Sequence, residues 1–117
     1  MIEKWIKEIK EKCPPEELGM ILVHNGIVRA TSKNGQPVTK MKLTYDHARL
    51  NQTIDAFKKR DGVVDIKAWI NEGTLNVGDD IMKVCVAGRF RKDVFPAFKE
   101  LLEIIKNDIV REEEISS

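Results

Sequence analysis

The chain has 117 residues, 42% hydrophobic and 33% charged, which suits one globular domain (residues 1–117) around a single moderate core. Lys plus Arg total 20 and Asp plus Glu 19, so the formal charge is +1, and bulk attraction to nucleic acid or to an anionic membrane is excluded as a driving force. No apolar run approaches the roughly 20 residues of a membrane-spanning helix, and residues 1–13 alternate charged with apolar side chains instead of forming a signal-peptide core, so a cytoplasmic location is expected.

Ile2, Trp5, Ile6, Ile9 and Cys13 recur at spacings of three and four, which predicts an amphipathic helix over residues 2–12, ended by Pro14-Pro15. Residues 19–28 read as a strand, with Gly26 a candidate bulge. Asn34-Gly35 marks a turn. Over residues 38–46, Met41, Leu43 and Tyr45 alternate with Lys40, Lys42 and Thr44, the pattern of a half-buried strand. Over residues 47–60, Ala48, Leu50, Ile54 and Phe57 predict a second helix closed by Asp61-Gly62. Residues 63–71 form a third strand, with Val64, Ile66, Ala68 and Ile70 expected on one face. After a turn-rich stretch, residues 80–87 form a fourth. A last helix carries Val94, Phe95, Phe98, Leu101, Leu102, Ile105 and Ile109 on its apolar stripe, with Asp93 as its expected cap and Pro96 in its first turn. The polar run 111–117 is expected to fray. The order α-β-β-α-β-β-α places the chain in the α+β class, a mainly antiparallel sheet with helices on one side.

Three cations fall within four residues at Arg89-Phe90-Arg91-Lys92, between the fourth strand and the last helix. Unpaired N–H groups and the dipole at a helix N-terminus favour anions, and arginines beside them add a fork for phosphate or carboxylate. The alternative is a solvated basic turn. Arg29, at the end of the first strand, is a second candidate, and two arginines at strand ends are able to converge on one phosphate. Lys106 borders the last apolar stripe, either snorkelling to water or lining a partly desolvated pocket as a nucleophile or acid–base group. It lies about four turns beyond Asp93, roughly 20 Å along a straight helix. Arg91 and Lys106 of one chain therefore do not reach one small ligand, and a pocket using both spans two copies of the chain.

His24 and His47 lack partners at metal-ligand spacing, so no metal is expected. Cys85 lies in an apolar run and reads as a buried thiol, and no disulfide with Cys13 is expected. Phosphate-loop, nucleophile-elbow and dinucleotide signatures do not occur.

Three pieces, in order, resemble the large, catalytic subunit of molybdopterin synthase. They are Gly19-x6-Gly26-Ile-Val-Arg29, Glu72-Gly73-Thr-Leu75-x-x-Gly78-Asp79, and Arg91-x3-Phe95-x-Ala97 leading to Lys106. The similarity covers about residues 18–110 and implies an α/β hammerhead fold. It implies a homodimer of large subunits, each taking a ubiquitin-like small subunit whose C-terminal Gly-Gly thiocarboxylate donates sulfur to cyclic pyranopterin monophosphate. No permanently bound cofactor, nucleic acid or membrane is implied. By position Arg29 matches a phosphate-pocket arginine, Arg91 an arginine from the neighbouring protomer and Lys106 a catalytic lysine, while Arg89 and Lys92 are further candidates for the phosphate. The sequence departs from the family at Phe90, where a histidine is usual, and at Glu113, where a second lysine is usual. A dimeric homologue that binds a pterin, phosphate or protein without chemistry is the alternative reading. A small nucleic-acid binder using the cationic turn is a weaker one.

Overall fold

The computed structural model describes residues 1–116. Three helices, α1 (Ile2–Lys12), α2 (His47–Lys58) and α3 (Arg91–Ile104), accompany six strands, β1 (Met20–Ile27), β2 (Lys40–Tyr45), β3 (Val63–Ile70), β4 (Gly73–Asn76), β5 (Asp80–Gly88) and β6 (Val110–Ile115). They form two antiparallel three-stranded sheets, ordered β1-β5-β3 and β4-β2-β6. The α+β class is as the sequence predicts. The single sheet with helices on one side is not.

β5 shows why both faces of the first sheet are covered. Met82, Val84 and Val86 point into the main core, while Cys85 and Ala87 join Ile9 of α1 on the other side. A strand buried on both faces reads as a continuous apolar run and gives no hint that helices flank it twice. β3 changes face within its length. A register shift between Val63 and Asp65 sends Val64 to the α1 side, and Ile66, Ala68 and Ile70 stay in the main core, so Val64 does not share their face. The bulge expected at Gly26 is present as a shift between Gly26 and Ile27.

α3 supplies the main core with Val94, Ala97 and Leu101, and Ile105 of the turn that follows continues the line, each 0% exposed at spacings of three and four, while Phe95, expected on that stripe, faces outward at 50% exposure. Its N-cap is Phe90 without a side-chain hydrogen bond, so Asp93 is not the cap, and Pro96 falls in the second turn. Asp93 instead leans on Gly62, whose positive φ of 81° turns the chain out of α2. The carbonyl of Gly62 accepts the Arg89 N–H at 2.9 Å.

Residues 111–115 are not a frayed tail. After α3 the backbone widens into a π-helical turn, Ile105–Ile109, and then pairs as β6 along the whole of β2. Val110 is buried at its start, and Glu113 lies opposite Lys42, an opposite-charge cross-strand pair. The short β4 closes the other edge of β2 through Leu75, which is buried.

A cavity between the first strand and the terminal turn

β1 ends at Ile27, and the next residues place Arg29 beside the loop held by the Thr31–Pro37 bridge. α3 runs back along the sheet to this same end, where the π-helical turn presents Lys106. A π-helical turn widens the spiral locally and re-aims the side chains it carries. Arg29 and Lys106 line one cavity of about 360 Å³, together with Lys33 from the loop and Glu112 and Glu114 from β6. A second cavity of about 250 Å³ continues it past Ile27, Ile81 and Lys106 to His24. No ion pair among the described residues engages Arg29, Lys33, Lys106, Glu112 or Glu114. Burial lowers the His24 imidazole below its ordinary value, so it enters the groove as a neutral donor or acceptor near pH 7.

The facing of β6 decides which acidic side chains matter. Glu112 lies opposite Leu43 and Glu114 opposite Met41, and both of those partners are buried. Directly opposed residues share a face of the sheet. Glu112 and Glu114 therefore turn toward the cavity, while Glu113 turns with Lys42 to the outer face. The departure from the family pattern at Glu113 does not place a carboxylate in the cavity. Its two neighbours do.

Arg29 and the cationic turn do not converge within one chain. β1 and β5 are antiparallel, with Met20 opposite Gly88 and Ile27 opposite Asp80. Arg29 follows the far end of β1 and Arg89 the opposite end of β5, so roughly 25 Å of strand separates them. Arg89 is held between Glu17, at 3.4 Å, and Asp61, at 3.6 Å. The Phe90 ring sits between the Arg89 guanidinium, 5.2 Å from its centroid, and the Lys92 ammonium, at 5.8 Å. Arg91 is exposed at the first position of α3. Phe90 and Phe95 are 52% and 50% exposed, an apolar pair bordered by these cations.

The remaining sequence candidates are elsewhere. His47 stacks on Tyr45 with centroids 3.9 Å apart and hydrogen-bonds Glu72 through Nε2 at 3.0 Å, on the surface. Among the described residues no group of three His, Cys, Asp or Glu side chains is placed to hold a metal ion. Both cysteines are free, and burial pushes the Cys85 thiol up to about 11. No helix among the described residues is long and apolar enough to cross a membrane. Sequence reading singled out Arg29 and Lys106 but missed His24, Lys33, Glu112 and Glu114 as cavity residues.

The model of the MoaE protein family matches residues 2–108. The uncharacterized protein MJ0717 of Methanocaldococcus jannaschii is 30% identical over 94 residues, 77% of this chain and 79% of its own length. Molybdopterin synthase from Staphylococcus aureus superposes with a TM-score of 0.77 at 21% identity, over 96% of this chain and 84% of that one. The molybdopterin biosynthesis MoaE protein of Burkholderia ambifaria gives 0.76 at 16% identity, over 100% and 80%. A chain from the complex of subunits 1 and 2 of the Helicobacter pylori molybdopterin-converting factor gives 0.71 at 19% identity, over 97% and 77%. These structures share the fold.

Proposed function

Because this chain belongs to the MoaE protein family, that of the molybdopterin synthase large subunit, we propose that it transfers sulfur to cyclic pyranopterin monophosphate at the Arg29–Lys106 cavity. The sulfur donor is the C-terminal thiocarboxylate of a ubiquitin-like small subunit. One observation carries this reading: the two residues that the family pattern assigns to phosphate and to catalysis, far apart in sequence, line the same cavity.

Each side chain has a separate task. Arg29 offers a planar fork to phosphate oxygens. Lys106, beside it, pairs with the thiocarboxylate and holds a proton for the transfer. Arg91, at the opposite end of α3, serves the cavity of a second copy in a homodimer, while Arg89 and Lys92, gathered around Phe90, support that end. The Helicobacter pylori relative's two-subunit complex supports a second polypeptide docking on this one.

The test is single-turnover conversion of the precursor by the wild-type chain loaded with thiocarboxylated small subunit. Lys106→Ala is expected to slow it by roughly 100-fold or more. No product from the wild type, or an unchanged rate in the variant, overturns the enzymatic reading. Phe90 in place of the usual histidine and two carboxylates at the cavity favour the second reading, a homologue that binds the pterin without turning it over. Calorimetric binding without product identifies it.

A further inference from the structure

We propose that Glu112 and Glu114 recognise the amino-pyrimidinone edge of the pterin, and that Arg29 and Lys33 take its phosphate, so that β6 sets ligand specificity. This rests on the reading of the cavity as a pterin-phosphate site and extends it to residues that the family pattern does not assign.

The cavity has charge of both signs. Arg29, Lys33 and Lys106 supply three cations, Glu112 and Glu114 two anions, and no ion pair among the described residues joins them. A site for phosphate alone gains nothing from carboxylates, which repel it. A ligand with an anion at one end and hydrogen-bond donors at the other satisfies both sets. The pterin ring has such an edge, since its 2-amino group and the adjacent ring N–H point the same way. An ionised carboxylate only accepts hydrogen bonds, and its two oxygens match two parallel donors. The register of β6 delivers Glu112 and Glu114 to this face and withholds Glu113. One net positive charge also suits a cyclic phosphate, which carries a single negative charge.

Calorimetry on the full chain tests this with three probes, namely cyclic pyranopterin monophosphate, unsubstituted pterin, and lumazine, which has oxygen in place of the 2-amino group. Wild type is expected to bind the precursor and to prefer pterin over lumazine. Glu112→Gln with Glu114→Gln is expected to weaken the precursor by about 10-fold or more and to erase the pterin preference. Glu113→Gln, on the outer face, is expected to change neither. A double variant that binds the precursor as tightly as wild type, or more tightly, overturns the inference and leaves the proposed function standing. A wild type that binds no precursor removes both. Circular dichroism of the double variant establishes that it is folded.

Discussion

His24 shows what a half-buried side chain on β1 costs the fold as pH changes. Burial holds its imidazole below the ordinary 6.5. Above pH 6.5 the ring is neutral in the folded and the unfolded chain alike, and it contributes no pH dependence. Below 6.5 the unfolded chain takes up the proton first, so stability falls as pH drops toward the folded value. Urea midpoints measured between pH 7.5 and 5.5 are expected to decline in wild type and to decline less in His24→Gln. Equal slopes would assign the decline to other groups. Asp80 titrates in a lower window. The Asn25 amide, followed by Lys83, holds its carboxyl below 3.8, so its contribution is lost only in stronger acid. Cys85 is 0% exposed, and its thiol is raised to about 11. Iodoacetamide at pH 8 is expected to leave it unmodified in the folded chain and to alkylate it in guanidinium, as mass spectrometry would show. Arg29 and Lys106 stood out in the sequence because each borders an apolar element, and the fold shows that they line one cavity. Glu112 and Glu114 were not, since a run of charges carries no periodicity to say which way each one points.

β6 is where sequence and structure part most clearly, and the reason is physical. Arg111-Glu112-Glu113-Glu114 has no apolar alternation, so its own side chains give no drive to form a strand. The strand forms because β2 offers an open row of backbone groups, with Val110 anchored in the core at one end and the Ile115 carbonyl accepting the Thr39 N–H at 2.8 Å at the other. A tail that frays is removable without cost. Deleting residues 110–117 is instead expected to destabilise the chain by roughly 2 kcal/mol or more, through the loss of Val110 burial and a row of ladder hydrogen bonds. Thermal denaturation measures it, and an unchanged midpoint would return the segment to the status of a tail. At the other end of α3 the helix and strand meet through glycine. A Cβ on Gly88 would run into the Gly62 carbonyl and the Val94 methyl, both held by buried backbone. Gly88→Ala is expected to cost about 1–3 kcal/mol. The helices and longer strands were readable from their spacing of apolar residues. β4 was not, because a four-residue strand with Leu75 as its one buried side chain has no period to read.

The molecule is 52 Å long and about half as wide, and the two sets of candidate site cations lie at opposite ends of α3. Lys106 and Arg29 share a cavity at one end, and Arg91 starts the helix at the other. The fourteen residues of α3 span about 20 Å, longer than an arginine side chain reaches. If Arg91 acts on the ligand held by Arg29 and Lys106, it belongs to a second copy, and the exposed Phe90 and Phe95 beside it are the apolar surface that the second copy covers. Twofold symmetry makes this testable without a structure of the dimer. Arg91→Ala and Lys106→Ala are each expected to abolish most turnover as homodimers. In a mixed dimer, one site carries both lesions and the other carries neither. Equimolar mixing with subunit exchange produces mixed dimers as half of the population, each with one working site of two, so activity is expected to return to about a quarter of wild type. If both residues served one site from the same chain, every site in the mixture would carry a lesion and no activity would return. Light scattering on the same samples supplies the premise: a monomer at assay concentration, with full turnover, would leave Arg91 no cavity to serve.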